Sequence, residues 1–92
     1  MSSTTEYLLA FSSFYKAAYA QETLTERKFS ASLRKLPPGL LGSCGYGVDL
    51  RTDGEEGLKR ALNLLEGKGI RNRGVFFVRK ERGRAFYDKI YL

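Results

Sequence analysis

The sequence contains no histidine, no tryptophan, one methionine, two prolines and a single cysteine among 92 residues. Without histidine it lacks the side chain most used for proton transfer at neutral pH, and one cysteine leaves no ligand set for a conventional zinc site. The lone thiol, Cys44, has no partner for an internal disulfide, so a reducing compartment would keep it available for chemistry. There is no GxxxxGK[ST] phosphate loop, no carboxylate pair beside the cysteine and no metal-ligand cluster. The parts of an independent enzyme are therefore missing, and no cofactor is expected. Long apolar runs are missing too. Residues 1–5 carry no basic segment, and Tyr7 to Phe11 is too short for a signal peptide or a membrane span, so the expectation is a cytoplasmic protein without a membrane partner.

What is present is globular in character. Hydrophobic residues make up 42%, and six Phe with six Tyr supply bulky core material, which sets aside disorder of the whole chain. The length predicts one domain over residues 1–92, with 79–92 a C-terminal hairpin extension. The formal charge is +6 and uneven: from Gly69 to Leu92 seven basic residues stand against Glu81 and Asp88. That third could face nucleic acid or an acidic partner, or simply be a solvated basic face.

Along the chain, Glu6 to Phe11 reads as an interior strand with both faces apolar. Ser12 or Ser13 then caps a helix reaching about Arg27, with Phe14, Ala17, Ala20 or Gln21, and Leu24 on its inner face. Phe29 to Leu36 alternates as an edge strand with one wet face, and Tyr46, Val48 and Leu50 mark its hairpin partner. Asp53 and Glu56 resemble a capping box opening a helix lined by Leu58, Ala61, Leu62 and Leu65 and ending near Gly67 or Gly69. Val75 to Val78 is a further strand, and after the Lys80-Glu81-Arg82-Gly83 turn Phe86 to Leu92 reads as a fifth. The order predicts an α+β, ferredoxin-like βαββαβ fold, an antiparallel sheet with two helices on one face. The tail strand is expected to cover an edge in an intramolecular hairpin, distant from the cysteine loop; pairing between two chains, giving a homodimer, is the alternative.

Chemistry concentrates in Leu36 to Gly47, LPPGLLGSCGYG. Glycines 42, 45 and 47 permit φ > 0, so backbone N–H groups could form an anion-binding nest around the sulfur that favours thiolate. In the ferredoxin-like plan the turn with Ser12 and Ser13 and the connection with Lys68, Arg71 and Arg73 emerge at the same end as this loop. A helix N-terminus and these cations would lower a thiol pKa, making Gly42, Ser43, Gly45, Ser12, Ser13, Lys68, Arg71 and Arg73 the candidate surroundings of a catalytic Cys44. The plainer reading makes Cys44 a small buried hydrophobe, the serines caps and the cations a solvated turn.

Four stretches also carry a resemblance: Tyr7-Leu8-Leu9-Ala10-Phe11 followed by Ser13 and Ala17; Phe29 to Pro37; Ser43-Cys44-Gly45 with Leu50-Arg51; and Gly74 to Val78. Over about residues 6 to 78 the chain resembles the DUF3343 family of selenium or sulfur carrier-like proteins. It departs at Pro38, where the family usually has Arg, and at Tyr15, where it often has His. The resemblance implies a carrier rather than an independent enzyme, with Cys44 forming a persulfide or perselenide and exchanging the outer atom with donor and acceptor proteins. A second function class is a non-catalytic protein- or RNA-binding module using the basic C-terminal third, with Cys44 structural. For RNA, Tyr7 and Phe76 or Phe77 would have to stack bases, although no RNP1-like run is present.

Overall fold

Thr5–Phe11 forms β1, and its place in the sheet follows from its two apolar faces. Tyr7, Leu8, Leu9, Ala10 and Phe11 are all buried, as in a strand covered from both sides. The computed structural model describes residues 4–40 and 45–91. After β1 come α1 (Phe14–Glu26), β2 (Ser30–Lys35), β3 (Tyr46–Thr52), α2 (Gly54–Gly67), β4 (Gly74–Glu81) and β5 (Arg84–Ile90). All five strands pair antiparallel in the order β2-β3-β1-β4-β5. The first six elements have the ferredoxin-like plan, and β5 extends it on the outer side of β4.

The helices share one face. Ala17, Ala20 and Leu24 of α1 and Leu58, Ala61 and Leu65 of α2 pack on Tyr7, Leu9, Phe11, Val48, Leu50 and Val75. The small residues of α1 let it lie close to the sheet. Phe14, expected on this inner face, is instead 45% exposed and meets the Tyr46 ring edge-on at 5.3 Å.

Both helices end alike. In α2, Ile70 N–H donates to Leu65 O and Gly69 N–H to Glu66 O, with Gly69 at φ +75°. In α1, Phe29 N–H donates to Leu24 O and Lys28 N–H to Thr25 O. These are Schellman motifs, whose left-handed residue is usually glycine. In α1 that residue is Lys28, at φ +72°. The helix starts differ: Ser13 caps α1 by accepting from Lys16 N–H at 3.2 Å, whereas the Asp53 side chain makes no capping hydrogen bond. The capping-box reading at Asp53 and Glu56 is thus corrected. The Asp53 carboxylate is held by its own backbone N–H, by the Thr52 hydroxyl at 3.2 Å and by Arg60 at 3.0 Å, and these interactions in that order lower its pKa.

The β4–β5 connection is the intramolecular hairpin expected. Glu81 pairs with Arg84, and the intervening Arg82 and Gly83 both have positive φ, +51° and +78°, as a type I′ turn requires.

Candidate functional site

Leu36 and Leu40, where the chain leaves β2, lie over the sheet face opposite the helices. There Leu8, Ala10, Phe76 and Val78 form a second buried cluster, against which Leu36, Leu40 and Tyr87 pack. The neck of the β2–β3 connection is closed by Leu36 N–H donating to Gly45 O at 3.0 Å. Just beyond, Leu40 N–H donates to Pro37 O at 3.2 Å. Pro38 and Gly39 sit at the centre of this turn, and Gly39 has the φ of +81° that a type II turn needs at its third position. Gly42, Ser43 and Cys44 lie outside the described residues, bounded by Leu40 and Gly45.

Gly45 and Gly47 serve a purpose other than the one expected. Neither has positive φ, and Gly47 is an ordinary β3 residue paired with Ala10 and Arg34. A Cβ on Gly45 would stand 2.9 Å from both Leu36 Cδ1 and Phe11 O; one on Gly47 would stand 2.8 Å from Leu8 Cδ1 and 2.9 Å from Leu36 Cδ2. The two glycines are the seat of Leu36. Their missing side chains let the loop's first leucine reach the sheet, which is the close approach that glycine within a strand often marks.

The three segments anticipated around the loop do share one end. Phe11 pairs with Tyr46 and Ala10 with Gly74, and Arg73 N–H donates to Ala10 O at 2.7 Å. At this end Ser13 is engaged as the cap of α1, and Ser12 Oγ accepts from Lys16 Nζ at 3.5 Å. Lys68 is the C-cap of α2 and is exposed, as are Arg71 and Arg73. Phe14, half-exposed, meets both the Tyr46 ring and the ring of Tyr15, which is 81% exposed.

Beside the leucine seat lies a polar group with no counterpart in the sequence reading. Asp49, opposite Leu8 in β1, keeps Oδ2 3.7 Å from Arg34 Nη1, while its Oδ1 is buried without a hydrogen-bond partner. Burial raises its pKa above the ordinary 3.8, and the attraction of Arg34 only partly opposes this. Arg34 also donates to the Tyr87 hydroxyl at 3.4 Å. That contact joins β2 and β5, the two edge strands, across the open face. The raised pKa means that Asp49 favours the fold when protonated and works against it as pH rises through its folded value. We expect Asp49→Asn to be more stable than the parent at pH 7 and the difference to vanish below about pH 4. Thermal melts of both proteins across that range test this; a variant less stable at pH 7 would contradict it.

The architecture defines the class first: a ferredoxin-like α+β domain whose first hairpin loop, between β2 and β3, carries its cysteine. The family follows. The chain belongs to the family described as "Putative Se/S carrier protein-like", whose model matches residues 6–76. The match runs from β1 into β4 and spans the cysteine loop; β5 lies beyond it. No curated protein and no solved structure matches the chain. Among the described residues no helix is long and apolar enough to cross a membrane, and no group of His, Cys, Asp and Glu could hold a metal ion.

Proposed function

We propose that the protein carries sulfur or selenium on Cys44 in the cytoplasm and passes it between partner proteins. Membership of the carrier family over residues 6–76 is the observation that supports this reading most directly. The chemistry needs one nucleophile. The Cys44 thiolate attacks the outer sulfur of a donor persulfide and the donor's inner thiolate leaves, so sulfane sulfur moves with no net oxidation or reduction. In delivery an acceptor thiolate attacks the outer atom and the Cys44 thiolate departs. Selenium follows the same displacement. A loop necked at Leu36 and Gly45 suits this use, because it can present a thiol while its base stays fixed. Cations in the Lys68 to Arg73 connection would favour the thiolate.

The experiment is incubation with a cysteine desulfurase and cysteine, read by intact mass. The expected result is a 32 Da gain (one sulfur atom, roughly) on the parent protein, lost in Cys44→Ser. No gain on the parent would overturn the proposal. The RNA-binding alternative is weakened by burial of its stacking candidates: Tyr7 and Phe76 are each 4% exposed, and Phe77 packs on the helix-side core. The basic third is partly neutralised as well. Arg79 is paired with Glu81 and Asp88, each at 2.7 Å, and Lys80 lies 3.4 Å from Glu6.

A further inference from the structure

A cleft of about 830 Å³ opens at the end of the sheet remote from the cysteine loop. It lies where α1 ends, β2 begins and β3 runs into α2. Arg27, Lys28, Arg51 and Arg60 line it, and Phe29 and Leu64 supply an apolar wall. One acid, Asp53, is in the lining, and its carboxylate is already committed to Arg60 and Thr52. Arg51 lies 3.8 Å from Glu6. Arg27 and Lys28 have no ion-pair partner among the described residues, so the cleft holds an excess of positive charge.

Lys28 supplies the second observation. It occupies the left-handed position of the α1 Schellman motif, where a side chain is disfavoured and glycine is the common choice. The same chain places Gly69 at the equivalent position of α2. Lysine stands at this position against the backbone preference, and it is one of the residues that line the cleft.

We propose that this cleft is a binding site for a small phosphorylated molecule of nucleotide size. The volume falls within the range of small-ligand pockets, roughly 300–1,000 Å³. Guanidinium forks and an ammonium suit phosphate oxygens, and the Phe29 and Leu64 wall suits a planar apolar body. The site is separate from Cys44, and its test does not depend on sulfur or selenium transfer.

The test is titration of the full chain with adenosine monophosphate, adenosine and inorganic phosphate, followed by backbone amide chemical shifts. Adenosine monophosphate should bind most tightly, with shifts centred on residues 27–30, 51–53 and 60. Binding should weaken as salt rises. Lys28→Gly should weaken it about tenfold, as loss of one charge-assisted hydrogen bond does. The same variant should melt about 4 °C higher, because the left-handed strain is relieved. Lys28→Ala should lose the same affinity without that gain, which separates the side chain's role from the backbone's. Unchanged affinity in both variants, equal binding of adenosine, or shifts centred elsewhere would overturn the proposal. So would tighter binding of single-stranded RNA with shifts spread over residues 79–89, which would point to nucleic acid instead.

Discussion

Gly47→Val is expected to lower stability by about 3 kcal/mol and the melting temperature by about 15 °C. A first added carbon would already meet Leu8 Cδ1 at 2.8 Å, Leu36 Cδ2 at 2.9 Å and Leu9 O at 3.1 Å. The leucine ends could swing aside, but the backbone oxygen cannot move without disturbing the β1–β3 ladder. Valine adds two further methyls. Leu36 would have to leave its seat, uncovering Leu8, which is fully buried. For a domain of this size the loss is a large share of a total stability of roughly 5–14 kcal/mol. Thermal and urea melts measure it, and Cys44 alkylation rates report the loop. Because the neck is displaced, the alkylation rate should change even at temperatures where the variant is folded. A variant as stable as the parent would show that Leu36 is not seated as described.

Deletion of Phe86 to Leu92 should have the other large effect, destabilising the fold by about 3 kcal/mol or more and promoting self-association. It removes most of β5 and leaves the apolar β4 as an open edge. It also removes the Arg79–Asp88 ion pair at 2.7 Å and the contact of Arg79 with the Phe86 ring at 5.0 Å. The effect should reach the cysteine loop. Tyr87 packs in the same cluster as Leu36 and Leu40 and receives a hydrogen bond from Arg34 in β2. The tail strand is thus not distant from the loop in its effects, contrary to what strand order alone suggested, because side chains cross the face that strand order treats as separation. Faster thiol alkylation, together with dimers or larger species in size-exclusion chromatography, is the expected outcome. A truncated protein that remained monomeric with the parent's alkylation rate and melting temperature would refute it.

The parts of the fold legible in the sequence are those governed by local periodicity. Burial on both faces of β1 showed in the unbroken run Tyr7 to Phe11, and the apolar spacing Leu58, Ala61, Leu65 predicted the inner face of α2. Even the tail hairpin could be anticipated from a short turn containing Gly83. The seat of Leu36 could not, because it depends on which face of β3 lies under a loop that leaves from β2. Gly47 inside an alternating strand is the available signal, and in sequence alone it points to conformational freedom as readily as to close approach. Asp53 shows a second limit: its spacing to Glu56 fits a cap, but Arg60, seven residues on, takes the carboxylate. Lys28 shows a third, since a lysine near a helix C-terminus is common and its left-handed φ leaves no trace in composition. As for the candidate site, the meeting of three segments at one end followed from topology and is observed. Of the glycines 42, 45 and 47 expected in a nest, Gly45 and Gly47 make room for Leu36, and Gly42 lies outside the described residues.

The position of β1 has a consequence for how the chain assembles. It precedes the other four strands in the chain yet lies at the centre of the sheet, and its partners are late: Tyr7 pairs with Leu50 on one side and Phe77 on the other. The two hairpins, β2–β3 and β4–β5, can form from neighbouring sequence, but the strand that joins them has to wait for both. Pairings so far apart in sequence slow folding, since the loops they close must be ordered before the contacts are made. Until residue 77 has left the ribosome, the apolar run Tyr7 to Phe11 has an unpaired edge exposed to other nascent chains. The sheet is therefore completed only once both hairpins have been made, and β4–β5 is the later of the two.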